Sequence, residues 1–151
     1  MTHEQMRVVV GDWAVCSGDA GHIRREVFVI EQHVPEALEL DEMDAVCVHA
    51  VAYDEAGSAM GTGRLLPDAH IGRMAVRKPW RGLGVGARLL LTLMDVARQR
   101  GEREVVLSAQ LSAQAFYARY GFQAEGDTYM DAGIEHVLMR CALPRQAETS
   151  H

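Results

Sequence analysis

Residues Ile71 to Arg100 read IGRMAVRKPWRGLGVGARLLLTLMDVARQR, and the fold hangs on them. Ile71 to Val76 reads as a strand. Arg77-Lys78-Pro79-Trp80 connects it to a glycine-rich turn, Arg81-Gly82-Leu83-Gly84-Val85-Gly86. Val85, Leu89, Leu93 and Val96 then recur at spacings of three and four, which predicts a helix with one apolar face. Such a strand, turn and helix offers backbone amides to a phosphate. The first turn of a helix has unpaired N–H donors, and its dipole favours an anion. Glycines let the backbone approach closely and reach positive φ. Arg81 adds a guanidinium that can fork onto phosphate oxygens. The turn is not a P-loop, because no G-K-[ST] follows. Glycines at 82, 84 and 86 also miss the G-x-G-x-x-G spacing of dinucleotide folds, and the ribose-binding acid expected about 20 residues later is missing. On spacing alone, a plain tight turn is the competing reading.

Working outward, Met6 to Cys16 reads as a first strand. A helix from about Asp19 to Gln32 follows, capped by Ser17, with Ile23, Val27 and Ile30 on its inner face. Val34-Pro35 ends it, since a residue before proline avoids helical angles. Pro35 to Asp44 reads as a loop with five carboxylates. Ala45 to Asp54 reads as a strand with Val46, Val48, Ala50 and Ala52 on one side and Cys47, His49, Val51 and Tyr53 on the other. It turns through Glu55–Ser58 into a return strand, Ala59 to Leu66. After the long helix come a buried strand, Val105 to Ala109, and a helix from about Ser112 to Tyr120 that Gly121 stops. A final antiparallel pair, Phe122–Glu125 and His136–Ala142, is linked by Asp127–Glu135. The order β-α-β-β-β-α-β-α-β-β predicts an α/β layer fold around one mixed sheet. Residues 1–143 form one domain in this reading, and 144–151 a disordered tail.

The 151 residues are 48% hydrophobic and 24% charged, enough for a buried core. No apolar run approaches the ~18 residues of a membrane span. The N-terminus lacks the pattern of a signal peptide. Cys16, Cys47 and Cys141 are widely spaced with no C-x-x-C, which suits free thiols in a reducing cytoplasm. Net charge is −6, which argues against nucleic-acid binding. Glu26 to Gly63 holds nine acidic residues and no Lys or Arg, whereas Arg64 to Arg103 holds nine basic and three acidic. That split suits one polyanionic ligand and, separately, a neutral or cationic one. The acidic stretch from Glu36 to Asp44 is either a solvated surface or an attractor for a cationic amine.

Arg-x-x-Gly-x-Gly at 81–86, after a strand carrying Arg73-Met74-Ala75-Val76, resembles the pyrophosphate loop of the GNAT N-acetyltransferase family. Phe116-Tyr117-Ala118-Arg119-Tyr120-Gly121-Phe122 resembles that family's F-Y-x-x-x-G-F segment. E-Q-x-V-P at Glu31, G-T-G-R at Gly61–Arg64 and G-I-x-H-x-x-M near the end are similar to its small bacterial ElaA/YjcF-like subgroup. The resemblance runs from about Val27 to Met139. It implies a mixed, mostly antiparallel sheet with helices on both faces, whose central strands splay to admit the cofactor. It implies an enzyme, an acetyl-CoA-dependent N-acetyltransferase, acting on an amine acceptor of a small molecule or peptide. It implies no metal, no nucleic acid and no membrane, and it allows a homodimer.

The implied cofactor contacts are the amides of Gly82, Leu83, Gly84, Val85 and Gly86 with Arg81 for the pyrophosphate, the edge Met74-Ala75-Val76 for pantetheine, and Ser108 and Phe116 nearby. Tyr117 matches the family's tyrosine acid for the departing thiolate. Glu31, His49 and His136 are the candidates for the base. Ser108 departs from the asparagine often found in related sequences, and its hydroxyl reaches less far. Two other readings stay open: a non-catalytic acyl-CoA-binding module or sensor, and a nucleotide-binding protein that prefers ATP to CoA.

Overall fold

The computed structural model describes residues 6–144. The reading of a disordered tail therefore lies, from residue 145 onward, outside the described residues. β1 (Arg7–Gly11) leads into α1 (Trp13–Arg24), which continues as a π-helical stretch over Arg25–Glu31. A short α2 (Glu36–Glu39) and a 3-10 turn (Glu42–Val46) precede β2 (Val48–Tyr53), β3 (Ala59–Leu65) and β4 (His70–Val76). Then come α3 (Val85–Gln99), β5 (Glu104–Gln110), α4 (Gln114–Ala118), β6 (Gln123–Asp131) and β7 (Ile134–Ala142). The strands form one sheet ordered β1-β2-β3-β4-β5-β7-β6. All neighbours pair antiparallel except β4 and β5, which are parallel.

Strand alternation gives the sheet two cores. Ala50 and Ala52 join Leu89, Leu90 and Leu93 of α3 on one face. Val51, between them, joins Cys16, Ala20 and Ile23 of α1 and Val27 of the π-helical stretch on the other. The predicted two-sided β2 and helices on both faces are what the molecule has. Leu89, Leu90 and Leu93 are fully buried, each worth about 2 kcal/mol in area removed from water. The G-T-G-R stretch of β3 is built for close approach. A Cβ at Gly61 would stand 2.9 Å from Ala75 O, and one at Gly63 would overlap Met74 Sδ. Between them, Thr62 Oγ1 donates to Ala50 O at 2.7 Å.

Several boundaries differ from expectation. α1 begins at Trp13, with Asp12 rather than Ser17 as its cap: Asp12 Oδ1 accepts from Val15 N at 3.0 Å. Gly18 and Gly21 lie inside the helix, where each lowers propensity by about 1 kcal/mol, so the early start was hidden. Ile30 is 61% exposed rather than inward. The π-helical stretch adds residues per turn, which rotates Ile30 off the face set by Ile23 and Val27. The Glu36–Asp44 stretch is helical turns rather than open loop. β6 continues to Asp131 because a register shift between Glu125 and Tyr129 absorbs the residues that looked like a break. Every residue of β6 is exposed, so no hydrophobic alternation marked it as a strand.

Candidate active site

β4 and β5 pair only through His70↔Val106 and Ile71↔Leu107. On the far sides, β3 stays with β4 up to Gly61↔Val76, and β5 stays with β7 up to Gln110↔His136. The sheet is therefore continuous outside and split inside. Beyond Ile71 and Leu107 the strands part, and a cleft of about 620 Å³ opens between them. Met74, Ala75, Val76, Arg81, Ser108, Tyr117 and His136 all line it. Glu31, Phe116 and His49 do not.

At one end of β4 stands the glycine turn. Gly82 and Gly84 have φ of 79° and 86°, the left-handed region that a side chain resists. The first amide to close a helical bond in α3 is that of Arg88, onto Gly84 O at 3.1 Å. The amides of residues 82–87 have no backbone acceptor among the described residues. Phe116 packs at the base of this turn: a Cβ on Gly86 would stand 3.6 Å from Phe116 Cζ and 3.7 Å from Val76 Cγ2.

Arg81 does not have the free fork expected of it. Its Nε donates to Val76 O at 2.8 Å, and Nη1 and Nη2 donate to the two oxygens of Glu31 at 2.6 and 2.7 Å. Hydrogen bonding from Arg81 holds the Glu31 carboxyl below its usual value, so Glu31 is a committed carboxylate. It stitches the end of the π-helical stretch to the turn, and a base role for it is not what this geometry offers. His49 is also removed from the base candidates. It is buried beneath Trp13, its Nε2 hydrogen-bonds Asp44 O at 2.9 Å, and burial pushes its pKa down.

His136 remains. Its Nδ1 donates to Ile134 O at 2.7 Å, because a carbonyl can only accept. Nε2 is then the ring nitrogen with a lone pair. Tyr129 lies opposite His136 in the β6–β7 register, with its ring nearly parallel at 6.2 Å. The Tyr129 hydroxyl hydrogen-bonds Ser108 Oγ. The short Ser108 is thus extended by a tyrosine from the edge strand. Gln110 Nε2 donates to Gln32 Oε1 at 2.9 Å and ties the β5 rim to the end of the π-helical stretch. Sequence reasoning missed Tyr129 and the Gln32–Gln110 tie. No alternation in the exposed β6 signalled Tyr129; the β6–β7 register is what sets it beside His136.

Tyr117 is 9% exposed, and burial pushes its phenol up to about 12. Its ring meets Phe116 and Phe122 edge-on, at 5.1 and 5.8 Å. No protein group among the described residues hydrogen-bonds its hydroxyl.

At the other end of β4 the acidic stretch divides: Glu36 and Glu42 are exposed, whereas Glu39, Asp41 and Asp44 are engaged by arginines. Glu39 and Asp44 are buried, and Arg24 pairs with both, reaching Asp44 at 2.8 and 3.0 Å. Arg64 bonds Asp44 at 2.8 Å and Asp41 at 2.8 and 2.9 Å. These carboxylates neutralise buried guanidiniums, an outcome that neither the solvated-surface nor the cation-attractor reading of the charge counts contained.

The sequence matches the acetyltransferase (GNAT) domain over residues 4–143. YjcF of Bacillus subtilis, named an uncharacterized N-acetyltransferase, is 36% identical over 125 residues, 80% of this chain and 89% of YjcF. A solved acyl-CoA N-acyltransferase from Pseudomonas aeruginosa superposes with a TM-score of 0.79 at 31% identity, covering 91% of this chain and 99% of that one. ElaA of Escherichia coli shares the fold, with a TM-score of 0.79 at 23% identity over 90% of this chain and 99% of its own. With the split sheet and the glycine turn, these likenesses place the chain in the GNAT family of acyl-CoA-dependent acetyltransferases.

Proposed function

We propose that the protein transfers the acetyl group of acetyl-CoA to an amine that attacks the thioester directly. The observation that carries this reading is the parting of β4 from β5 after two residue pairs, which leaves a strand edge and a buried phenol around one cleft, with the glycine turn following at the end of β4. The pyrophosphate rests on the amides of residues 82–87, with Arg81 shaping the turn through Val76 O and Glu31. Pantetheine amides add to the Met74–Val76 edge as a further strand would. An amide of that edge faces the thioester oxygen, and losing such a donor typically costs about 10²–10³ in rate.

The attacking amine must first lose a proton, since a free amine near pKa ~10 is mostly protonated at neutral pH. His136 Nε2 is the acceptor in this scheme, directly or through water. As the C–N bond forms and the C–S bond breaks, negative charge gathers on the thiolate. Tyr117 serves as its hydrogen-bond donor. A phenol near 12 does not hand its proton outright to a thiolate near ~8.5, because that transfer is uphill by roughly 5 kcal/mol. It remains protonated and stabilises the charge, an interaction worth about 1.5–3 kcal/mol.

Tyr117→Phe tests this. It keeps the ring and deletes the donor. Turnover, read as thiol release with a panel of amines, should fall roughly 10- to 100-fold while CoA affinity changes less than about threefold. The wild-type rate should show no phenol-dependent fall below about pH 11, since the buried phenol ionises only near 12. A wild-type protein that binds acetyl-CoA and acetylates no amine would support the sensor reading instead.

A further inference from the structure

Arg73 sits at the vertex of the split, next to the last paired residues of β4. Its φ is +50°, in a register shift between β3 and β4. A non-glycine residue held there carries strain that surrounding contacts must over-determine. Those contacts point the side chain at the α2 end. Nε and Nη2 donate to Glu39 O at 3.2 and 3.0 Å, and Nη2 also reaches Leu38 O and Asp41 at 3.3 Å. Nη1 has no acceptor among the described residues and is not buried. Arg73 lines the cleft. Beside it, the buried Arg64 also lines the cleft, and its Nε has no partner.

Charge accounting sharpens the picture. Glu39, Asp41 and Asp44 already hold Arg24 and Arg64, so Arg73 has only a 3.3 Å contact to Asp41 and two carbonyls. Burial and the neighbouring Arg64 charge both disfavour its cation. The carboxylates that line the cleft elsewhere, Asp68 and Asp131, do not bond it. The opposite rim, Ser108, Gln110 and His136, offers hydroxyl, amide and imidazole but no cation. The Gln110–Gln32 bond ties that rim to the end of the helical stretch that continues α1. The wall nearest the reacting end of the cleft is therefore a guanidinium with one open edge, set in a cluster whose three arginines and three carboxylates balance in charge, and it faces neutral donors and acceptors.

We infer that the acceptor is a small primary amine that also carries a carboxylate, which Arg73 Nη1 receives while the amine is presented to His136. This rests on the acetyltransferase reading and names the class of its acceptor. Of the two sequence-level readings of the acidic stretch, it sets aside the attractor of a cationic amine, because Glu39, Asp41 and Asp44 are already paired. Carboxylates suit the site because a guanidinium edge matches them in shape as well as charge.

The test uses the full-length protein with acetyl-CoA and a set of L-amino acids with diverse side chains, each beside its own α-carboxamide. At least one amino acid should exceed its amide at least 10-fold in kcat/KM. Arg73→Met should erase that preference chiefly through the KM of the amino acid, and Arg73→Lys should restore part of it. The Kd for acetyl-CoA, within about threefold of wild type in both variants, reports that the fold survives. Amides used as well as their parent acids, or an Arg73→Met preference equal to wild type, would overturn the assignment while the acetyltransferase reading stands. Binding of acetyl-CoA with no turnover of either set, or of any other amine, would overturn both.

Discussion

Two arginine–carboxylate groups stand at opposite ends of β4, and they differ in one respect. Arg81 and Glu31, beyond Val76, form a two-pronged pair with side chains 38% and 39% exposed. Arg24 and Arg64 hold Glu39 and Asp44, near Gly72, with side chains between 1% and 6% exposed. The fork geometry is alike and the surroundings are not. Exposed pairs are worth roughly 0–1 kcal/mol because water competes for each partner. A buried pair contributes little net stability, yet removing one member strands the other and costs about 3–5 kcal/mol. The cleft thus has a rim that is cheap to rearrange where the cofactor phosphates would lie, and a rim that is fixed where the acceptor would lie.

The largest effect expected is at the buried end. Asp44→Ala leaves Arg24 and Arg64 without their shared partner and should cost about 3–5 kcal/mol of unfolding free energy, measured by denaturant titration. A loss no greater than that for Glu31→Gln would break the comparison. Next is Gly84→Val, which puts a branched side chain at φ 86° on the glycine turn. The proposed function predicts at least a ~30-fold weaker Kd for CoA by calorimetry, about 2 kcal/mol. An unchanged Kd in a folded variant would remove the turn from the cofactor site.

Acid titration sharpens the contrast further. Folded His49 binds its proton less readily than the unfolded chain, whose value is near 6.5. The unfolded state therefore takes up more protons just below that pH, and stability should fall as pH drops from about 6.5. Asp41 is held at about 2, chiefly by its hydrogen bond from Arg64, against 3.8 in the ordinary case. Its contribution is fully present above about pH 4 and is lost as pH falls towards 2. Stability measured at steps from pH 7 to 3 should show both limbs, and His49→Gln should flatten the first alone. The smallest effect expected is Glu31→Gln, at most about 1 kcal/mol in stability. A larger loss would mean that the stitch to Arg81 is structural rather than adjustable.

Much of this architecture was legible in the residues. Alternation at Val48–Tyr53 separated the two cores, and the 3.6 spacing of Val85, Leu89 and Leu93 identified α3 and the turn before it. The split sheet came from resemblance, because nothing in the apolar runs of β4 or β5 says where pairing stops. Boundaries failed where a local rule was overridden: glycines inside α1 hid its start, and the π-helical turns moved Ile30 outward. In the site, Tyr117 and His136 were legible as residue types in a matching segment. The partners of Arg81, Arg64 and Arg73 were not, because those bonds join residues 20 to 50 apart with opposite charge and no periodicity. Charge counted along the chain could not show that acids from the first half had folded onto bases of the second.

β6 ends the sheet, and all nine of its residues are exposed. An outermost strand presents unpaired N–H and C=O groups that invite a neighbouring molecule to pair. Here that invitation is blunted twice over. The register shift between Glu125 and Tyr129, with Gly126 at φ 79°, breaks the straight run a second strand would need. Asp127 and Asp131 add negative charge along it, while Glu125 is already held by Arg140. Two copies approaching edge to edge would bring like charges together, which disfavours pairing. The strand that brings Tyr129 to Ser108 and His136 thus also presents a kinked, charged outer edge that suits the end of a sheet better than its continuation.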